Sequence, residues 1–276
     1  MLHVGDFAYA VQDNNGQKGD DYFDTLQDIN SQVPYIITPG NQENFDHGNF
    51  FNFRFRMPMA QQDYEKNSNH YYSFDMGNTH FSSVNFDYVL VIESRKFDEM
   101  LEWFYNDLKK AYERPEIKWI FVFSHHPVYC GNTDPNLPTI DCRTNYLILN
   151  QYFDAMKKFG ADVFMAGHVH YYERLKIFDK FKPILYDFEI DRLSGKISYY
   201  NLSVPLQVIN GCAGQSSNWK KQVITSDMDG KAVIHTQCYM TMDVVENRLE
   251  LKLFRSLDDQ ILDIVELIKD DNLKKI

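Results

Sequence analysis

Apolar and polar positions along this chain recur at two different periods, and the switches between them mark its elements. Phe97–Ala111 repeats at helical spacing, with Leu101, Phe104, Tyr105 and Leu108 on one face, and predicts an amphipathic helix. Asp20–Val33 and Thr144–Phe159 carry the same period, the second stopped by Gly160. Around them lie apolar runs too short for helices and bounded by turn formers: Met1–Val4 as a strand end, Tyr35–Thr38, Lys118–Phe123 and Asp162–Ala166. Tyr71–Asp75 and Thr79–Asn85 alternate about Met76-Gly77-Asn78 as a hairpin. Asn44–Ser68 has no period and is expected as a long surface loop. Past it the style changes, because Leu206–Ile209, Met240–Val245, Leu249–Phe254 and Ile261–Ile268 read as strands of antiparallel type. Strand–helix alternation followed by an all-β run predicts an α/β fold with sheets packed between helices. No repeat or low-complexity linker divides it, so residues 1–276 are expected as one domain, the β-rich part at about 200–270 included.

Composition narrows the function without naming it. With 276 residues, 44% hydrophobic, the chain is long enough for a sizeable core. A formal net charge of −11 argues against nucleic acid, which asks for a basic face. The same charge would repel an anionic substrate, so attraction to a phosphate must be local, as from bound cations. No apolar run approaches the roughly 20 residues of a membrane helix. No signal peptide opens the chain. Among the four cysteines, Cys130 and Cys142 flank a turn-rich loop, Gly131–Asp141, that a disulfide could close, whereas Cys212 and Cys238 read as buried thiols. Asn201-Leu202-Ser203 is a glycosylation sequon, meaningful only outside the cytosol.

Four of the expected strands end in a motif that offers a metal donor: Gly5-Asp6-Phe7-Ala8-Tyr9, Gly40-Asn41-Gln42-Glu43, Val122-Phe123-Ser124-His125 and Gly167-His168-Val169-His170. Each residue alone has a plain structural explanation, since Asp and Asn after strands are common turn residues. Together, at the carboxyl ends of strands where α/β sheets gather their sites, they are expected to converge. Carboxylate, amide oxygen, phenolate and imidazole without thiolate suit Fe, Zn or Mn. Asp6 can bridge two cations, and two cations clamp a phosphoryl group and supply hydroxide near neutral pH.

The ordered set GDFAY, GNQE, VFSH and GHVHYYER resembles the purple acid phosphatases, within the calcineurin-like metallophosphoesterases. Trp103 with Asp107-Leu108, His125–Cys130, Tyr172-Glu173-Arg174 and Gly211-Cys212-Ala213-Gly214 extend the resemblance over most of the chain, with the animal-type members most alike. It implies two mixed sheets packed between helices, the first strand or strands missing. It implies a centre of Fe(III) plus Zn, Mn or Fe(II), bridged by Asp6. Tyr9 and His170 would hold the ferric ion, and Asn41, His125 and His168 the divalent one. The implied activity is hydrolysis of phosphate monoesters, a metal-held hydroxide attacking phosphorus in line. The substrate would be a small-molecule or protein phosphate ester, and a homodimer is among the expected partners, with no nucleic acid and no membrane span. Family members are typically secreted, lysosomal or vacuolar.

Two departures from the family pattern carry expectations of their own. Gln42 stands where the family has a His that can donate a proton to the leaving group; Gln hydrogen-bonds but cannot be a general acid. His126 is the nearest alternative donor, set against a solvent-facing loop position. A further ferric Asp, upstream of Asp6 in the family, has no counterpart, so the chain reads as truncated and is expected to hold fewer than two metals alone. The rival functions are a diesterase or nucleotide-acting relative, its choice set by Asn44–Asn69 and Gly131–Thr144, and a catalytically impaired fragment.

Overall fold

The computed structural model describes residues 1–9, 11–43, 70–86, 94–130, 142–175, 178–179, 182–183, 187–214, 231–233 and 236–270. Short strands β1 (Leu2–His3) and β2 (Ile36–Ile37) pair in parallel and are joined through helix α1 (Gln17–Asn30). The hairpin β3 (Tyr71–Met76) and β4 (Thr79–Val84) leads to helix α2 (Ser94–Glu113), strand β5 (Trp119–Phe123), helix α3 (Cys142–Lys158) and strand β6 (Val163–Ala166). There follow β7 (Tyr172–Arg174), the two-residue pair β8 (Phe178–Asp179) and β9 (Lys182–Pro183), β10 (Asp187–Ile190) and β11 (Ile197–Tyr200). Strands β12 (Leu206–Asn210), β13 (Lys231–Val233), β14 (Cys238–Val245), β15 (Arg248–Arg255) and β16 (Ile261–Ile268) complete the order.

Seven strands form one mixed sheet in the order β13-β7-β12-β6-β5-β4-β3, and five form another in the order β10-β11-β16-β15-β14. Apolar faces of the two meet in one core, where Phe81, Trp119, Phe121, Val163 and Val208 pack with Leu249, Leu251, Leu253 and Val265. The opposite face of the larger sheet is covered by α2 and α3, whose Phe104, Leu108, Tyr152 and Met156 are fully buried against Ile120, Val122 and Phe164. This explains why β5 reads as an unbroken apolar run: both its faces are covered.

The C-terminal part departs from the antiparallel expectation. β12 lies parallel to β6 in the larger sheet, and β11 lies parallel to β16 in the smaller one. Neither partnership is local in sequence. The two cysteines expected as thiols, Cys212 and Cys238, are instead joined in a disulfide with Cα atoms 5.3 Å apart, tying the end of β12 to β14. Two short segments 26 residues apart in sequence are brought together only by the sheets. Cys130 is also disulfide-bonded. The side chain of Cys142 and the loop at 131–141 lie outside the described residues, as does the expected loop at 44–68.

Candidate metal centre

The carboxyl ends of β1, β2, β5 and β6 open into four short loops on the same side of the molecule. Glycines let these loops touch. A Cβ on Gly5 would meet His125 Nδ1 at 2.6 Å and Gly40 N at 2.7 Å, and one on Gly167 would meet Val4 O at 3.0 Å. Gly5 also has φ +88°, a conformation that glycine adopts at little cost. Two donors themselves are left-handed, Asp6 at φ 56° and His168 at φ 63°.

One group of donors is complete within van der Waals reach. His125 Nε2 lies 3.2 Å from Asn41 Oδ1, 3.3 Å from Asp6 Oδ2 and 3.3 Å from His168 Nδ1. His168 Nδ1 lies 3.0 Å from Asn41 Oδ1. His125 donates from Nδ1 to the carbonyl of Val4 at 2.7 Å, so in its neutral form the Nε2 lone pair faces the other donors, and in its protonated form the same nitrogen faces Asp6 with a proton. Nitrogen and oxygen ligands about 2.0–2.1 Å from a zinc-like cation stand roughly 3.3 Å apart in a tetrahedron. The observed spacings match that, and Asp6, His125 and His168 are brought together as a metal-type cluster. The residues fit a divalent cation.

The second group is Tyr9 and His170, whose hydroxyl and Nε2 are 2.7 Å apart. A phenol and an imidazole in contact are the donors a harder trivalent cation would take, and Asp6 lies near enough for its charge to act on His170. Of the six metal donors expected from the sequence, Tyr9 is thus paired with His170, and Asp6, Asn41, His125 and His168 are gathered in one cluster. Gln42 sits there as well, its backbone N–H donating to Asp6 Oδ1 at 3.0 Å. His126 corrects the solvent-facing alternative: it is 8% exposed, with its ring tilted over that of His168 at 3.7 Å between centroids. Val128 and Tyr129, buried just beyond it, pull the segment inward.

The electrostatics suit cations. Burial works to raise the Asp6 carboxyl, but the charge and hydrogen bond of His125 and the Gln42 N–H hold it below the ordinary 3.8. Burial, helped by His125, lowers the His170 imidazole against the pull of Asp6, favouring the neutral form that can ligate.

Glu43 was not singled out by the sequence, yet it is buried at the centre of the arrangement. Its Oε2 accepts the N–H groups of Asp6 at 2.7 Å and Gly40 at 2.8 Å, and its Oε1 accepts Phe7 N–H at 2.9 Å. Burial and then the Asp6 charge push its carboxyl up to about 7, against the pull of the Gly40 and Phe7 donors. The only signal in the sequence was its place in Gly40-Asn41-Gln42-Glu43. Beneath Phe7, an aromatic group supports the same loop: His3 packs edge-on at 4.8 Å, and its Nδ1 lies 2.5 Å from the hydroxyl of Tyr35.

Known proteins resemble this chain in sequence and in fold. Residues 1–172 match the family described as Calcineurin-like phosphoesterase. Acid phosphatase type 7 of Danio rerio is 29% identical over 98% of this chain and 61% of its own length. The Mus musculus protein of that name is 30% identical over 78% of this chain and 48% of its own. Among solved structures, a purple acid phosphatase from yellow lupin (Lupinus luteus) seeds superposes with a TM-score of 0.75 at 21% identity, covering 98% of this chain and 46% of that one. The fold is therefore the expected α/β metallophosphoesterase fold with mixed sheets. The chain spans between about half and three-fifths of the length of these curated relatives.

Proposed function

We propose that this chain, which belongs to the calcineurin-like phosphoesterase family, is an acid phosphatase that hydrolyses phosphate monoesters at a binuclear metal centre. The observation that carries the proposal is the cluster of Asp6, Asn41, His125 and His168, with the Tyr9–His170 pair near enough to Asp6 for its charge to act on His170. One site would hold Fe(III) and the other Zn, Mn or Fe(II). When bound, such cations neutralise phosphoryl charge and lower the pKa of water, which a net charge of −11 makes necessary for an anionic substrate.

The chain's own residues do the rest. His125, fixed by Val4, keeps its Nε2 turned to the centre. Gln42, through its N–H, keeps one oxygen of Asp6 oriented. For the leaving group, Gln42 can donate a hydrogen bond but not a proton, and His126, whose ring lies over that of His168, is the alternative donor nearest in sequence to the metal-site motifs. Aryl leaving groups need that proton less than alkyl ones. Gln42→His is therefore expected to raise alkyl phosphate turnover more than aryl phosphate turnover; equal gains in steady-state assays would sink the idea. Comparing mono-aryl with bis-aryl phosphate turnover tests the monoester preference. The disulfides and the exposed sequon residue Asn201 support a secreted, lysosomal or vacuolar location. No described helix is long and apolar enough to cross a membrane.

A further inference from the structure

We infer that Glu43 is the positioning residue of this centre: its buried carboxylate sets the conformation of Asp6 and with it the spacing of the metal donors. The inference rests on the metal-centre reading above. Both Glu43 oxygens are turned to backbone, one to Asp6 and Gly40 N–H and the other to Phe7 N–H, so Glu43 serves the loops rather than adding a donor. These bonds cross sequence separations of 36 and 37 residues between the loop after β1 and the turn after β2. In the same turn, Gln42 N–H reaches the Asp6 side chain. A single turn thus grips the backbone and the carboxylate of one residue.

That grip suits Asp6, which is left-handed at φ 56°, a conformation that Asp takes more readily than most L-residues and that hydrogen bonds to its backbone hold in place. The two oxygens of the Glu43 carboxyl accept three N–H donors between them, two on Oε2 and one on Oε1. An amide at the same place would turn its own N–H₂ toward at least one of them, and an apolar side chain would leave all three buried donors unmet. None of these bonds involves a metal, so Glu43 prepares the site before any cation arrives.

The test uses the full chain, stripped of metal, as wild type, Glu43→Gln and Glu43→Asp. Zinc titration by calorimetry is expected to show about 10- to 100-fold weaker binding for Glu43→Gln, the usual cost of losing a supporting partner of a metal ligand. Glu43→Asp, charged but one methylene short, is expected to recover part of it. Amide exchange without metal is expected to quicken at Asp6, Phe7 and Gly40 and to stay unchanged at Ile120 and Val122 in β5, which a general loss of stability would not give. If Glu43→Gln binds zinc as tightly as the wild type, the inference is overturned while the metal centre stands. If the wild type binds zinc no better than His125→Ala, the metal-centre reading falls and takes this inference with it. Should Glu43→Gln not fold, Glu43→Asp decides on the same two readouts.

Discussion

A methyl group on Gly40 would lie 2.7 Å from the amide nitrogen of Asp6 and 2.9 Å from His125 Cε1, and closer still to Asp6 Oδ1. Those atoms are a donor, the ring of another donor, and the backbone that Glu43 holds. None has room to retreat. Gly40→Ala is therefore expected to destabilise the fold by about 1–3 kcal/mol and to weaken zinc binding sharply, read by denaturant unfolding and calorimetric titration. Zinc binding unchanged from the wild type would show that the loops have slack. The proposed donors could be named from the sequence, since Asp6, Tyr9, Asn41, His125, His168 and His170 stand out by chemistry and by following expected strands. The supports were not. Glu43 acts on residues 36 and 37 positions away, and Cys212 meets Cys238 only because two sheets align their ends.

Among the elements, α2 is tied to the β3–β4 hairpin by a charged network. The His80 ring on β4 lies 2.6 Å from Asp75 on β3 and 3.0 Å from Asp107 on α2, and Arg114, just past α2, reaches Asp75. Ser73 and Ser82 donate to Asp107 at 2.6 and 2.8 Å. Burial works to lower the His80 imidazole, but the hydrogen bonds and charges of Asp107 and Asp75 raise it above 6.5. Burial likewise works to raise Asp75, but Arg114 and His80 hold it below 3.8. The imidazolium contribution is whole below 6.5 and fades as pH climbs through its raised value; that of Asp75 is whole above 3.8 and fades as pH drops through its lowered one. The stability lost in His80→Gln is expected to be greatest between these values and to shrink at higher pH, as urea unfolding across that range would show. A difference independent of pH would mean the ring acts by packing alone. The helices and apolar strands followed from their periods. Strands β10 and β11 did not, because β10 is exposed along its whole length and offers no buried face to read.

For the molecule as a whole, the joint between the sheets is polar as well as apolar. Arg174 on β7 donates from Nε to Asp263 on β16 at 2.8 Å and from a terminal nitrogen to the Tyr199 hydroxyl on β11 at 2.8 Å. Tyr172 also donates to Asp263 at 2.8 Å. Arg174 and Asp263 are 3% and 7% exposed, so removing one leaves a buried charge unmet. Asp263→Ala is expected to cost about 3–5 kcal/mol of unfolding free energy, and replacing both residues with apolar ones of similar volume should restore most of it. A near-zero loss in the single variant, measured by denaturant unfolding, would show that water reaches the joint. Lys269 adds a second tie, its ammonium 2.8 Å from Asp162 Oδ2 and 4.5 Å above the Trp119 ring.

The left-handed conformations of Asp6 and His168 carry an evolutionary consequence. Each residue costs more there than glycine would, by up to about 1 kcal/mol, and glycine at either position would relieve it. In a lineage released from selection for catalysis, stability alone would then favour losing these two donors ahead of His125 or Tyr9. Decay of such a centre has a direction, and positions 6 and 168 are where drift would be recorded first.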